Sequence, residues 1–358
     1  MRRELGCLWL VMALGCGPAH GEAFVQSFRA GQRAYSAGRY EEAAQLFDRA
    51  AADAERVKDR DEALFLRARM YERLQRWEDA QEAYRRLIAI SPDGPRAPRA
   101  AFEIATIEID HGDAEAGWKA LAEAVERYPD HGWASRAIEL WAEHTAETAG
   151  EEALRTALEG WRRELGASAS AQRIKYELAR SHERGGDHVA ARNAYLRAAR
   201  EHPHPNGNLT DDAYWFAAEA AEAAESPRAA IAILEELLSF REISGWGQSY
   251  ERPRYPAAQL RIAELHLALG DLGEARAAFR RTHENHSTSV LADDAMWQEA
   301  LVARRMGDAE GACDAVEGLK KREPPSRFAR CVGLICPAAG RADRCPPYIA
   351  ESIDASPP

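Results

Sequence analysis

Hydrophobic residues recur along this chain at the spacing of amphipathic helices, and the pattern itself repeats every 37 residues. The stretch 172–205 shows one period clearly. Its apolar positions predict a first helix that Gly185 and Gly186 interrupt, and a second helix that Pro203 ends. The apolar stripe of the second helix contains Ala191, Tyr195 and Ala198. Because two short helices cannot bury their apolar faces alone, copies must stack on both sides.

The copies occupy matching columns of the sequence. The large apolar residue of the second helix recurs as Phe47, Tyr84, Leu121, Leu158 and Tyr195. The small residue of the first helix recurs as Gly31, Ala68, Ala105, Ala142 and Ala179. Small residues let two helices approach closely, and large ones fill the next gap. With slips, the period continues as far as residue 324, so we predict eight helix pairs.

The strings GQRAYSAGRYEEAAQLFDRA (31–50) and ALGDLGEARAAFRR (268–281) resemble the signature of the tetratricopeptide repeat (TPR) family. This resemblance implies an all-α, TPR-type superhelical solenoid of about eight helix-turn-helix repeats over residues 24–324. The step of 37 residues is longer than the 34 usual in that family. The fourth unit, 135–165, fits the pattern poorly because its first glycine turn comes at Gly150, so we expect a longer or distorted repeat there.

The N-terminus combines a basic start with a short apolar run, 7–16, that is too short to span a bilayer. We therefore predict a signal peptide over residues 1–15. Its end, Ala13-Leu14-Gly15-Cys16, resembles a bacterial lipobox, which implies lipidation of Cys16 and a lipidated linker over 16–23. The alternatives are simple secretion with cleavage near residues 19–21, or a cytosolic chain with an incidental apolar start.

Four of the six cysteines cluster near the C-terminus, which indicates two disulfides in an exported protein. Helix geometry favours the pairs Cys313–Cys336 and Cys331–Cys345 among three connectivities. The alternatives are a zinc site, for which the cysteine spacing is unsuitable, and four separate buried thiols. The disulfides would hold a capping segment over residues 325–350, with a helix at 327–335, before a disordered tail at 351–358.

The segment 241–256 breaks the period and contains Trp246 and Tyr250. One interpretation is a loop that packs on a lengthened sixth repeat. The other is a partner-binding loop, since exposed aromatic residues on loops often bind other proteins.

A stack of such repeats has a concave face lined by the first helices, and one column of mostly aromatic residues is predicted to point there. Its aromatic members are Phe28, Phe65, Phe102, Tyr176, Trp215 and Trp297. Arg69 and Arg180 lie one turn further along their helices. Such a stripe suits a peptide or partner helix that needs apolar anchors and carboxylate contacts. The alternative is that the rings pack between neighbouring helices.

The formal net charge of −11 disfavours binding to nucleic acid. The sequence contains no phosphate-binding glycine loop and no nucleophile or metalloprotease motif. We therefore expect that the protein is not an enzyme and binds no metal or cofactor.

The overall layout resembles bacterial envelope TPR lipoproteins of the BamD and CpoB type. The expected function is an outer-membrane lipoprotein facing the periplasm that binds other envelope proteins or peptides and catalyses nothing. The alternatives are a periplasmic binding module for a peptide or a cell-wall polymer, and a hydrolase with an unrecognised site.

Overall fold

The computed structural model describes residues 21–203, 207–240, 254–322, 325–342, 345–351 and 353. Within these ranges all regular structure is helical, and sixteen helices form eight consecutive pairs. The first eight are α1 Glu22–Ser36, α2 Tyr40–Asp53, α3 Val57–Arg73, α4 Trp77–Ile90, α5 Ala97–His111, α6 Ala114–Arg127, α7 Gly132–Ala149 and α8 Glu151–Glu164. The next eight are α9 Ala171–Arg184, α10 His188–Glu201, α11 Thr210–Ala223, α12 Pro227–Ser239, α13 Tyr255–Ala268, α14 Leu272–Asn285, α15 Ala292–Arg305 and α16 Ala309–Lys320. The predicted all-α array of eight helix pairs is therefore confirmed.

The apolar columns form the interior of the helix pairs. In α2, for example, Ala43, Phe47 and Ala50 are buried. In α1–α6, and again in α8–α16, each helix packs against the next one in the chain, as α10 does with α9 and α11. Burying one large apolar side chain in this way contributes about 1.5–3 kcal/mol relative to leaving it exposed.

Most of the hairpins turn through one residue with positive φ. Gly38, Gly186, Gly270 and Gly307 take this conformation, with φ between 73° and 80°. Gln75 and Glu225 take the same conformation at φ 57° and 56°. In each turn the following N–H donates to the carbonyl five residues earlier, as Asp271 does to His266, which ends the first helix.

The chain forms two compact units. Unit 1 comprises the residues up to His144 together with Ala167–Ser170, and unit 2 comprises Thr145–Gly166 and the residues from Ala171 onward. Each unit has its own apolar core, with Tyr84 and Leu87 in the core of unit 1 and Tyr195 and Phe279 in that of unit 2. The first helix of the fourth repeat, α7, is the longest of the sixteen at 18 residues, and Gly150, where φ is 86°, follows its last residue, Ala149.

The C-terminal segment covers the end of the last hairpin. Disulfides join Cys313 to Cys336 and Cys331 to Cys345, which is the pairing that the sequence favoured. The segment packs on α15 and α16 through a cluster that includes Phe328, Val332 and Ile349. The array therefore ends in a disulfide-stapled cap.

Two boundaries differ from the predictions. Of the predicted helix 327–335, only Val332–Ile335 is α-helical. Residues 327–331 form turns instead, because the Phe328 ring stacks on Trp297 and the Cys331 N–H donates to the Phe328 carbonyl. At the other end, α1 begins at Glu22, inside the segment 16–23 that the sequence assigns to a linker.

Candidate functional site

The predicted stripe of aromatic residues is largely inside the protein. Phe65, Phe102, Tyr176 and Trp297 are between 1% and 7% exposed, so they do not form an open binding surface. Phe28 and Trp215 are partly exposed. These four rings pack between neighbouring helices, as the alternative interpretation has it, and the partner-binding role of the column stays a prediction.

A contact that recurs between repeats covers the Phe65 ring. In α3, Glu62 stands three residues before Phe65, and Arg96 just precedes the first helix of the next repeat. The Arg96 guanidinium forms an ion pair with Glu62 and lies 5.1 Å from the centre of the Phe65 ring. We call this arrangement the cross-repeat clamp: an acid, an aromatic ring three residues later, and an arginine from the following repeat.

The cross-repeat clamp occurs again in unit 2. Arg254 pairs with Asp212 at 2.8 Å and lies 5.3 Å from the Trp215 ring. At the end of the array, Arg327 pairs with Asp294 and lies 4.8 Å over Phe328, whose ring stacks on Trp297 at 5.0 Å. The C-terminal cap thus supplies the groups that the start of a further repeat would supply.

The two arginines predicted to contact a partner are engaged in ion pairs with residues of this chain. Arg69 pairs with Glu72 at 2.9 Å and approaches Glu103 at 3.6 Å. Arg180 pairs with the buried Glu177 at 3.2 Å. Burial raises the pKa of Glu72, although the Tyr84 hydroxyl, 2.5 Å away, and Arg69 act to lower it. Both arginines are thus engaged within this chain, Arg180 inside α9 and Arg69 also across to α5.

The first repeat has no cross-repeat clamp. Val25 stands in the place of the acid, and Asp59 stands 37 residues before Arg96, where the clamp arginine would be. Phe28 therefore carries no guanidinium over its ring. It packs on Phe24 and Phe47, with ring centres 5.1 and 5.5 Å away, and remains partly exposed.

An open groove lies at this position between α1 and α3, with a cavity volume of about 340 Å³. This is within the range of ligand-binding pockets, about 300–1,000 Å³. We call it the repeat-one groove. Its lining residues are Phe24, Val25, Phe28, Arg29, Gln32, Lys58, Asp59 and Glu62.

The charges around the repeat-one groove are unbalanced. Its two carboxylates are paired, Asp59 with Arg56 at 3.6 Å and Glu62 with Arg96. Arg29 and Lys58 are exposed on the rim, and neither forms an ion pair within the described parts of the chain. The groove therefore combines an apolar floor with two uncompensated positive charges.

Sequence reasoning placed Phe28 on a binding face but missed Val25, Arg29 and Lys58. The acid found at positions 62, 212 and 294 is replaced by Val25 here, but it is also absent at positions 99 and 173, so this break by itself does not single out the groove. The clamp itself was missed because its arginine is separated from its acid by an entire hairpin.

Several predictions concern residues outside the described ranges. These are the signal segment 1–15, Cys16, the loop residues Trp246 and Tyr250, and the end of the tail, 354–358. Among the residues that the structure does describe, no helix is long and apolar enough to cross a membrane. The same residues contain no cluster of three or more metal-ligating side chains.

Helix pairs with short turns, small and large residues in alternating columns, and stacking of each second helix on the next repeat define a class of α-helical repeat proteins. Tetratricopeptide-repeat family models match residues 28–95 and 148–208, and a second such model matches 257–289. The chain therefore contains tetratricopeptide repeats. A search of curated proteins returns no match.

Solved structures similar to this chain include the C-terminal part of a TPR repeat-containing protein from Cytophaga hutchinsonii, at 15% identity and a TM-score of 0.43, over 75% of this chain and 98% of that one. A TPR protein from Parabacteroides merdae matches at 11% identity and a TM-score of 0.35, over 74% of this chain and 93% of that one. PilF from Pseudomonas aeruginosa matches at 11% identity and a TM-score of 0.37, over 65% of this chain and 95% of that one.

Proposed function

We propose that this chain is an exported, lipid-anchored TPR scaffold of the bacterial envelope that binds other proteins through the first helices of unit 1. The observation that carries the binding role is the repeat-one groove. It is open where the equivalent position in the second repeat is closed by Arg96 over Phe65. Proteins with such repeats bind other proteins or peptides and are typically scaffolds without catalytic activity.

Export is supported by two independent features of the chain. The two disulfides of the cap are of the kind that form and persist in oxidising compartments. The N-terminus has the basic start and short apolar run of a secretory signal, and its Cys16 follows a lipobox-like Ala-Leu-Gly. A role in outer-membrane assembly or envelope coordination, as in lipoproteins of the BamD and CpoB type, fits this layout.

The anchor can be tested by feeding cells a radioactive fatty acid and isolating the full chain. We expect label on the wild-type protein and none on the Cys16→Ala variant, which should also leave the membrane fraction. Unlabelled wild-type protein in the soluble envelope fraction would contradict the anchor and favour simple secretion.

The scaffold role can be tested by crosslinking in living cells followed by mass spectrometry of captured proteins. We expect envelope proteins to be recovered, and recovery to fall when Arg29→Glu and Lys58→Glu are combined. A matched control combines Lys119→Glu and Arg197→Glu, which change the net charge equally at exposed positions away from the groove. Equal loss of partners in both variants would contradict a specific role of the groove.

A further inference from the structure

The repeat-one groove differs from the clamped positions in its charge as well as its openness. At Phe65 and Trp215 the ring is covered by an arginine whose charge an acid compensates. At Phe28 no acid stands at the corresponding place, since Val25 occupies it. An arginine or lysine from a partner would therefore meet no free carboxylate there, and Arg29 and Lys58 would repel it.

A negatively charged segment of a partner suits the groove better. The apolar floor formed by Val25 and Phe28 accepts a bulky apolar side chain, whose burial would provide most of the affinity. Arg29 on α1 and Lys58 on α3 stand on the rim of the same groove, so carboxylates flanking the apolar residue could pair with them. Nearby on the outer surface of α1, Arg33 is exposed and also forms no ion pair within the described residues.

The outer face of α1 makes a further repeat an unsuitable occupant. It carries Arg29, Gln32, Arg33 and Ser36, all exposed. A polar outer face of this kind is typical of the terminal repeat of an array. The chain's own residues 1–20 are also a poor match in charge, because they contain Arg2 and Arg3 and a single acid, Glu4.

We infer that the repeat-one groove binds an acidic segment of a partner protein, with one bulky apolar side chain against Phe28 and flanking carboxylates on Arg29 and Lys58. This inference rests on the proposed function and specifies the chemistry of the partner. Because rim charges act mainly through steering and specificity, the affinity should also fall as salt concentration rises.

The test uses the full chain and three synthetic fluorescent peptides in anisotropy titrations. The first contains Asp-Glu-Leu-Phe-Glu-Asp between glycine-serine flanks, the second replaces each acid by its amide, and the third replaces each acid by lysine. We expect the acidic peptide to bind at least about tenfold more tightly than the amide peptide, a difference of about 1.4 kcal/mol. The lysine peptide should not bind.

Variants then locate the site. Combining Arg29→Glu with Lys58→Glu should weaken the binding of the acidic peptide at least about tenfold, which is again about 1.4 kcal/mol. The control pair Lys119→Glu with Arg197→Glu should leave its affinity within about twofold. The Phe28→Ala variant should bind the acidic and the amide peptide more weakly by the same factor. Circular dichroism should show that this variant retains its helix content. If that variant loses helix, Phe28→Leu, which keeps an apolar floor, should preserve binding.

Equal binding of the acidic and amide peptides, no binding of either, or equal loss in the groove and control variants would each overturn the inference. So would binding that appears only after removal of residues 1–20, since the chain's own N-terminus would then be the occupant. The envelope role and the chemistry of the groove fail separately. Acidic-peptide binding by a chain found in the cytosol would refute the envelope role alone, whereas envelope partners captured independently of Arg29 and Lys58 would refute the groove's part in binding and leave the envelope role standing.

Discussion

Gln75 and Glu225 adopt a backbone conformation that glycine adopts in four equivalent turns. Both are exposed, with φ near 57°, a region that costs a residue with a β-carbon about 1–2 kcal/mol. Their side chains therefore contribute little that would offset the strain in these turns.

Replacing Gln75 by glycine should stabilise unit 1 by about 0.5–1 kcal/mol, because glycine adopts this φ without steric cost. Urea unfolding monitored by circular dichroism measures the change. The reverse substitution, Gly270→Ala, should destabilise unit 2 by a similar amount, since no neighbouring atom lies within 4 Å of the added carbon and the effect is confined to the backbone. A loss of stability in Gln75→Gly would show that the side chain has a role that these contacts do not reveal.

The environment of Glu299 lowers the pKa of its carboxyl group and so affects the stability of unit 2. Burial alone would raise its pKa, but the hydrogen bonds and charges of His283 and Arg280 hold the pKa below the ordinary 4.5. The nearest distances are 2.7 Å to His283 and 2.6 Å to Arg280. A carboxyl with a lowered pKa in the folded state contributes stability above the unfolded pKa and loses it as the pH falls through the folded pKa.

Glu299→Gln should therefore destabilise unit 2 at pH 7 by about 1.5–3 kcal/mol, the usual contribution of hydrogen bonds to a charged group. The difference from wild type should shrink as the pH falls below about 4.5. Urea midpoints between pH 3 and pH 7 measure this, with Glu310→Gln on the exposed face of α16 as the control. A constant difference across that range would contradict the assigned charge interactions.

At the scale of helices, the cross-repeat clamp fixes the first helix of one repeat against the start of the next. It combines a partly exposed ion pair with a guanidinium over an aromatic ring. Each of these interactions contributes about 0.5–1 kcal/mol. The clamp is thus a modest addition to the apolar packing between helices, and it places a guanidinium over the rings of Phe65 and Trp215.

Removing the clamp arginine by Arg96→Ala should destabilise unit 1 by about 1–2 kcal/mol. In a double-mutant cycle, Arg96→Ala and Glu62→Ala should show a coupling of about 0.5 kcal/mol or more. The exposed pair of Arg39 and Glu42, within one turn of α2, is the matched control and should contribute about 0.5 kcal/mol or less. Equal coupling in both pairs would mean that the Arg96–Glu62 ion pair contributes no more than an exposed one.

The helix pairs could be predicted from the sequence because burial repeats with the period of the chain, as the columns of Ala43 and Phe47 do. Burial of the aromatic column could not be predicted in the same way. The guanidinium over Phe65 belongs to Arg96, which is 34 residues from the acid it pairs with, and the spacing of a single helix contains no information about that contact. The repeat-one groove was hidden for the same reason, since Lys58 and Arg29 lie on different helices.

At the scale of the whole molecule, the first and the last helix pair differ in their outer faces. α1 presents a polar outer face, whereas the apolar end of α15 and α16 is covered by a segment that two disulfides hold. The disulfide framework was predictable because four cysteines cluster in a short stretch. The turns at 327–331 were not, because they depend on the stacking of Phe328 on Trp297.

Replacing Cys331 and Cys345 by alanine should destabilise the cap by about 2–4 kcal/mol, the usual effect of losing one disulfide. Limited proteolysis should then cleave within residues 325–350 much faster than in wild type, while cleavage within α1–α6 stays unchanged. Reduction of the wild-type chain, which breaks both disulfides, should accelerate this cleavage at least as much. Unaltered proteolysis would mean that apolar packing alone holds the cap.

The cross-repeat clamp also makes the order of the hairpins matter. Each clamp takes its acid from one hairpin and its arginine from the next, so shuffled hairpins would bring together groups that do not match, such as Glu62 with the aspartate at position 59. Anyone lengthening this array by gene duplication should therefore copy residues 60–96 as one block. A block with these ends keeps Glu62, Phe65 and Arg96 together. It therefore adds one complete cross-repeat clamp and no second open groove.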